Sequence, residues 1–190
     1  MHKYTFSRFV QCVMPGRKKF VQFANRQIGI YLLYCTQKER DRRISKMRIC
    51  FDMDGTIANL YGVDNWLAYL MAEDVKPYAE AKVLHNMSRL ARLLNKAQRN
   101  GNKLVVISWT SKNGSAEYNK AVAEVKKAWL KKHLPSVRWD EVNVVNYGYN
   151  KANFAESAED VLFDDEEPNR KAWTGKAYRE TEIFKVLTSR

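Results

Sequence analysis

Two carboxylates separated by a single residue, Asp52 and Asp54, follow the apolar run at residues 49–51 and precede Gly55 and Thr56. Side chains two residues apart in an extended segment point to the same side, so both carboxylates are expected to lie close together. Like charges at this spacing repel each other unless a cation or a bound proton offsets the repulsion. Mg2+ suits such a pair, because it binds one or two carboxylates and shares oxygens of a substrate phosphate. The pair therefore predicts phosphate chemistry assisted by a metal ion.

An acidic pair of this spacing also begins the calcium-binding loop of an EF-hand. That loop needs Gly at its sixth position and Glu at its twelfth. Counted from Asp52, these positions hold Ile57 and Val63, which excludes the EF-hand. A strand that ends in a solvated acidic turn, with no chemistry at all, remains the simpler alternative.

Further polar side chains stand at the ends of later apolar runs. Ser108 ends one run, Lys151 follows the next, and Asp164 and Asp165 end the third. Thr110 is the alternative to Ser108 if the second strand is longer than its apolar run. Parallel strands bring their carboxyl ends to one edge of a sheet, where ligands bind. Carboxylates that hold a metal, an ammonium that balances phosphate and a hydroxyl that orients an oxygen are equipment for phosphoryl transfer.

The elements that must position these groups follow from the hydrophobic pattern. Strands are predicted at residues 48–52, 103–108, 142–146 and 160–164, with an edge strand at 176–178. Two amphipathic helices are predicted between these strands, because their apolar residues recur at helical spacing. The first helix carries Leu84, Met87, Leu90, Ala91 and Leu94, and the second carries Val122, Val125, Trp129 and Leu130. Strands that alternate with helices form a parallel sheet with right-handed crossovers, so the predicted fold class is α/β.

The ordered set of polar groups resembles the four motifs of the haloacid dehalogenase superfamily. The Asp-Met-Asp-Gly-Thr run at 52–56 resembles the first motif, Ser108 the second, Lys151 the third and the pair at 164–165 the fourth. The resemblance covers residues 48 to about 175. It implies a three-layer, doubly wound parallel sheet with a Rossmann-like core and a minimal helical cap.

The resemblance also implies catalytic roles for the first motif. Asp52 is expected to be the nucleophile that forms an aspartyl-phosphate. Asp54 is expected to protonate the leaving oxygen and then to activate water. The implied activity is hydrolysis of phosphate monoesters, which makes the chain a phosphatase.

Metal and phosphate contacts are implied in the same way. Mg2+ is the expected cofactor, bound by Asp52, the backbone carbonyl of Asp54 and Asp164, with assistance from Asp165. The substrate phosphate is expected to contact Lys151 and either hydroxyl side chain, Ser108 or Thr110. Arg170 is interpreted as a surface charge or a substrate contact, whereas Trp66 and Trp129 are expected to be packing residues.

The substrate is expected to be small. Residues 57–78 leave room for a loop and one short helix as a cap, so the site should be open. The run at 52–58 is somewhat similar to that of 5'-deoxyribonucleotidases, which favours a nucleotide or another small phosphorylated metabolite. A phosphatase that acts on nucleic-acid ends is the alternative.

Positive charge is concentrated in the first quarter of the chain. Of a net charge of +12 over 190 residues, residues 1–46 contribute eleven Lys/Arg and two Asp/Glu. This segment is interpreted as a basic extension, or as a stretch from an upstream start codon, and residues 47–190 as the catalytic domain. Its interleaved cations and aromatic residues suggest nucleic-acid binding as a function of another class.

Cysteine content and hydropathy bear on the cellular setting. Three cysteines without metal-ligand spacing favour a reduced, cytoplasmic location. Apolar runs stay well short of the roughly 18 residues that span a bilayer, so no membrane span is expected.

Overall fold

The computed structural model describes residues 13–14, 17–18 and 47–189. The chain divides into two compact units, Met1–Ile44 and Ser45–Arg190. In the first unit, β1 (Val13–Met14) and β2 (Arg17–Lys18) form an antiparallel pair. The rest of the predicted basic extension lies outside the described residues, and its role in nucleic-acid binding stays a prediction.

The second unit is an α/β fold built on a five-stranded parallel sheet, as the sequence predicted. Its strands are β3 (Arg48–Phe51), β6 (Lys103–Trp109), β7 (Glu141–Val145), β8 (Val161–Phe163) and β9 (Lys176–Tyr178). The order across the sheet is β7-β6-β3-β8-β9. Each neighbouring pair is parallel, which places all five carboxyl ends at one edge. The arrangement is compatible with a Rossmann-like fold.

Helices flank the sheet. They are α1 (Trp66–Met71), α2 (Lys76–Glu80), α3 (Met87–Arg99), α4 (Ala116–His133), α5 (Glu167–Ala172) and α6 (Ile183–Thr188). Leu84 precedes α3 and is exposed, so this helix begins later than the sequence analysis predicted. Asn86 caps α3 instead, because its side chain accepts a hydrogen bond from Arg89 N at 2.9 Å. None of the described residues forms a helix long and apolar enough to cross a membrane.

The central strand β3 is buried along its whole length. Ile49 and Phe51 belong to one apolar cluster, which the α3, α4 and α6 side chains complete. Cys50 belongs to a second cluster with Leu162 and Trp173. Adjacent strand residues therefore pack into different clusters, as period-two alternation requires. Burial raises the pKa of Cys50 to about 12, so this thiol stays protonated.

The segment after the first strand is larger than expected. β4 (Ala58–Asn59) pairs antiparallel with β5 (Lys82–Val83) and closes the base of this segment. A 3-10 turn and both α1 and α2 lie between these strands. The sequence predicted one short helix over 57–78, whereas the structure has two. The second helix begins with Lys76 and Pro77, and a proline in the first turn needs no N–H partner there.

A buried carboxylate fastens the amino edge of the sheet. Asp160 is 1% exposed and accepts hydrogen bonds from Arg48 N at 2.9 Å and Glu156 N at 2.7 Å. Ser157 donates to it through both N and Oγ, each at 2.9 Å. Burial alone would raise the pKa of Asp160, but these hydrogen bonds to the ionised form lower it below its ordinary value.

Asp160→Asn is predicted to lower the free energy of unfolding by about 1–3 kcal/mol at pH 7, because buried N–H groups lose their charged acceptor. A depressed pKa contributes stability above the unfolded value of about 3.9. That contribution disappears as pH falls through the folded pKa. The difference in free energy of unfolding between wild type and variant should therefore become smaller below about pH 4. Urea unfolding at both pH values measures it, with exposed Asp64→Asn as the control. A gap independent of pH would contradict the assignment.

Candidate active site

The predicted polar groups meet at the carboxyl edge of the sheet. Asp52 follows the central strand β3, and its backbone N donates to Phe163 O at 2.8 Å. Asp164 follows the neighbouring strand β8, where Asp164 N donates to Tyr178 O at 3.2 Å. Lys151 begins the 3-10 helix that follows β7. These connections bring Asp52, Lys151 and Asp164 together.

The turn after Asp52 requires glycine. Gly55 has a φ of 78°, in the left-handed region, and a Cβ built on it would lie 2.2 Å from Asp165 Oδ2. Thr56 then links both acidic segments through Oγ1, which accepts from Asp165 N at 3.1 Å. The same hydroxyl lies 3.3 Å from Asp165 Oδ1 and 3.5 Å from Asp52 Oδ2. The Gly-Thr pair therefore shapes the loop and orients the carboxylates.

Lys151 forms a bridge inside the site. Its side chain is 2% exposed, and Nζ donates to Asp52 Oδ1 and Asp164 Oδ2 at 2.7 Å each. Nζ also lies 4.7 Å from the centroid of the Trp109 ring. Burial opposes the charged form, yet both carboxylates raise the pKa of Lys151 above its ordinary value. The ammonium therefore stays charged at neutral pH.

Three carboxylates form a cluster that could hold a metal ion. Asp52, Asp164 and Asp165 each offer an oxygen, and these oxygens lie within 4.8 Å of one another. Burial, with repulsion from Asp52 and Asp164, raises the pKa of Asp165 to about 7. Burial and repulsion from Asp52 also raise the pKa of Asp164. Their hard oxygen ligands suit Mg2+ or Ca2+ better than a thiophilic metal.

The helix after the fourth motif supports that cluster. Asn169 Nδ2 lies 3.2 Å from both carboxylate oxygens of Asp164. Arg170 Nη1 donates to the backbone oxygens of Asp164 and Asp165 at 2.7 and 2.6 Å. Arg170 is therefore bound to the acidic loop, whereas the sequence suggested a surface charge or a substrate contact. Both side chains restrict how the two carboxylates can move.

Lys126 is the site residue that the sequence analysis missed. Its side chain is fully buried, and Nζ donates to Asp54 Oδ2, to Ser108 Oγ at 2.9 Å and to Trp109 O at 2.6 Å. A signal was present, since Lys126 lies on the apolar face of α4, four residues from Val122. A lysine at a core position needs a buried partner, and the partner here is Asp54.

The two hydroxyl candidates have different environments. Ser108 is fully buried, accepts from Lys126 and does not line the cavity at this edge. Thr110 does line that cavity, and its buried Oγ1 has no hydrogen-bond partner among the described residues. Strand β6 extends to Trp109, and Thr110 N donates to Val145 O at 2.7 Å. The strand is therefore longer than its apolar run, which was the condition for choosing Thr110.

A cavity of about 560 Å³ opens above these groups. Its polar lining includes Asp52, Asp54, Lys151, Asp165 and Thr110. The remaining wall is rich in aromatic rings: Tyr61, Trp66, Tyr78, Trp109 and Tyr147. Trp129 is a packing residue as expected, at 2% exposure, but Trp66 is half-buried and lines the cavity.

The aromatic wall has two parts that face the same space. Tyr61 and Trp66 come from the segment between β4 and β5, and their ring centroids are 5.2 Å apart. Trp109 ends β6 and Tyr147 lies just after β7, with ring centroids 5.0 Å apart. Flat aromatic surfaces next to a charged end can accommodate a ligand with one charged group and one apolar or planar part.

Comparison with known proteins indicates no function for this chain. Neither the protein-family models nor the curated proteins that were searched match this chain. A function must therefore be inferred from the acidic cluster, the buried ammonium groups and the Thr110 hydroxyl, which has no hydrogen-bond partner in the described part of the chain.

Asp165→Asn is predicted to stabilise the metal-free protein at pH 8 by at least about 1 kcal/mol, because it removes one of the repelling charges. The pKa of Asp165 is raised to about 7 from an ordinary 3.8, so folding favours its protonated form. The stability of the wild type should fall as pH rises between these two pKa values. The variant should lack this part of the pH dependence, because it has no carboxyl group at position 165.

Urea unfolding in EDTA at pH 4.5 and pH 8 measures the effect, with exposed Glu167→Gln on the adjacent helix as the control. A variant less stable than wild type at pH 8 would show that the Asp165 charge is already compensated.

Proposed function

We propose that this chain is a Mg2+-dependent phosphomonoester hydrolase that acts through an aspartyl-phosphate on Asp52. The observation that carries the proposal is that Asp52 and Asp54 line one cavity, and that Asp52 also belongs to the acidic cluster with Asp164 and Asp165. A nucleophile, a proton-transfer group and a metal-binding cluster are the parts that such a reaction needs. The resemblance to haloacid dehalogenase phosphatases motivates the same assignment.

The donor set fits Mg2+. Asp52, Asp164 and Asp165 would hold the ion, together with the backbone carbonyl of Asp54. When these side chains and Asp54 are all ionised, four carboxylates face two buried ammonium groups in the part of the chain that the structure describes. A divalent cation balances the difference, and when bound it neutralises negative charge on the phosphate oxygens.

The first half-reaction transfers the phosphoryl group to the protein. A carboxylate oxygen of Asp52 attacks phosphorus, and the bond between phosphorus and the leaving oxygen breaks. Asp54 gives its proton to that oxygen, so the product leaves as an alcohol. Burial raises the pKa of Asp54 above its ordinary value even though Lys126 opposes the shift, and a raised pKa is the direction that a general acid needs.

The second half-reaction regenerates the carboxylate. Water attacks the phosphorus of the aspartyl-phosphate, and its proton passes to the ionised Asp54. The bond between phosphorus and Asp52 oxygen breaks, and inorganic phosphate leaves. Lys151 and the Thr110 hydroxyl would hold phosphate oxygens during both steps, since both residues line the cavity.

The substrate we propose is a nucleotide or another small phosphorylated metabolite. The aromatic wall favours a planar or apolar group next to the phosphate, as in a nucleotide. The segment 58–83 would act as the small helical cap over this site, because Leu60, Tyr61 and Trp66 line the cavity. We further propose that the sheet and its helices form the three-layer, doubly wound arrangement of this phosphatase class, in a cytoplasmic enzyme.

Asp52→Asn is predicted to abolish turnover of phosphomonoesters, because an amide cannot act as the nucleophile. Asp54→Asn should slow turnover by about 10²–10⁴-fold, the usual contribution of acid–base catalysis. Phosphate release measures both with a panel of nucleotides and sugar phosphates, in Mg2+ and in EDTA. Exposed Asp64→Asn is the control and should retain activity. Full turnover by purified Asp52→Asn would disprove the mechanism.

Thr110→Val is predicted to reduce kcat/KM by about tenfold, which corresponds to one lost hydrogen bond of about 1.4 kcal/mol. Thr and Val have similar shapes, so the loss should come from the hydroxyl alone. Ser108→Ala is the matched comparison and should not raise KM, because Ser108 lies outside the cavity wall. A rise in KM for Ser108→Ala, with none for Thr110→Val, would assign the phosphate contact to Ser108.

A further inference from the structure

Lys126 occupies a position where a lysine is costly. It lies in the interior of α4, fully buried, on the face that also carries Val122 and Trp129. Removing an ammonium group from water costs several kcal/mol unless it is paired and hydrogen-bonded. An apolar side chain would fill this position without that cost. The presence of a lysine here therefore needs an explanation other than packing.

The ammonium is fully engaged with the protein. Its three N–H groups have three acceptors: Asp54 Oδ2, Ser108 Oγ at 2.9 Å and Trp109 O at 2.6 Å. The ring of Tyr78 lies 4.8 Å from Nζ and covers it further. Lys126 is also not among the residues that line the cavity. It therefore has no free donor for a substrate phosphate and must act through a neighbour.

Asp54 is the neighbour through which Lys126 can reach the reaction. Of the two side chains that Lys126 binds, Ser108 lies outside the cavity wall and Asp54 lines it. The Asp54 side chain is 17% exposed, and the hydrogen bond from Lys126 holds Oδ2. In the described part of the chain, hydrogen bonds to this carboxylate involve Oδ2, which leaves Oδ1 for the leaving group.

We propose that Lys126 is a positioning residue, which holds the Asp54 carboxylate in the orientation from which it exchanges a proton with the leaving oxygen. This inference rests on the proposed phosphatase function. A carboxylate on a short side chain rotates freely about two bonds, and one charged hydrogen bond from a rigid helix restricts that rotation. Productive proton transfer needs an alignment within a few tenths of an ångström, so the restriction acts on rate.

The two buried lysines then have separate tasks. Lys151 binds Asp52 and Asp164, lines the cavity and is available to the phosphate. Lys126 binds Asp54 and does not line the cavity in which the phosphate would bind. Loss of Lys126 should therefore affect the proton-transfer component of catalysis, whereas loss of Lys151 should affect the nucleophile and the phosphate contact together.

Leaving-group dependence tests the proposal. Phenyl phosphate and p-nitrophenyl phosphate have similar shapes, but only phenolate, whose conjugate acid has a pKa of about 10, needs strong help from a general acid. Lys126→Met should lower kcat/KM for phenyl phosphate by about 10- to 100-fold and for p-nitrophenyl phosphate by less than about threefold. kcat/KM is the proper readout, because it reports the step that releases the leaving group.

Two comparisons separate positioning from a structural role. Lys127→Met changes the exposed neighbour on the same helix and should leave both values unchanged. In an Asp54→Asn background, Lys126→Met should produce no further change in the ratio of the two substrates, because the group it positions is absent. If the Met variant does not unfold cooperatively, Lys126→Gln, which keeps a donor, should show a smaller loss in the same direction.

The outcomes distinguish this inference from the function on which it rests. An equal loss on both substrates, from a wild type that is active with Mg2+, would overturn the positioning role and leave the phosphatase assignment intact. A wild type that hydrolyses neither substrate, nor any phosphomonoester of the wider panel, would overturn the proposed function and this inference with it.

Discussion

Repulsion among buried carboxylates is the constraint on which the rest of the site depends. Two buried ammonium groups offset part of it, since Lys151 joins Asp52 to Asp164 and Lys126 binds Asp54. Ion pairs removed from water contribute little net stability, because the cost of desolvation cancels much of the attraction. What these pairs supply is geometry, since each lysine fixes the direction of a carboxylate that the proposed reaction uses.

The pKa values of buried carboxylates are shifted in opposite directions at the two edges of the sheet. At the amino edge, Asp160 is surrounded by N–H donors, and its pKa is held below the ordinary value. At the carboxyl edge, burial and like charges raise the pKa of Asp165 to about 7. The first arrangement stabilises the folded state at neutral pH and the second destabilises it. Functional sites commonly carry such a cost, which the remaining structure must offset.

The segment between β4 and β5 changes what the cavity can bind. The segment contributes Leu60, Tyr61 and Trp66 to the lining of the cavity of about 560 Å³, and the paired rings of Tyr61 and Trp66 form one part of its aromatic wall. Glu73 fixes the segment to the start of α4, because its carboxylate accepts from Ser115 N at 2.6 Å and Ser115 Oγ at 2.7 Å. The same helix carries Lys126, so α4 is held both to this segment, through Ser115, and to Asp54, through Lys126.

Most of the sheet could be predicted from the sequence because its signals are local. Apolar runs, their lengths and the polar residues that end them predicted five strands to within a residue or two, and the parallel arrangement is confirmed. The acidic spacing at residues 52 and 54 needed no knowledge of distant contacts. The need for glycine at position 55 was not predicted, because it comes from the close approach of Asp165, which is distant in the sequence.

Other features were decided only by the tertiary structure. The end of β6 depends on its pairing with β7, in which Thr110 N donates to Val145 O, and Thr110 rather than Ser108 lines the cavity beyond that end. The anomalous lysine on the apolar face of α4 is visible in the sequence, but its partner Asp54 is 72 residues away. Periodicity and spacing report on neighbours along the chain. Contacts between distant residues depend on strand order and helix packing, and these bring buried charges to their partners.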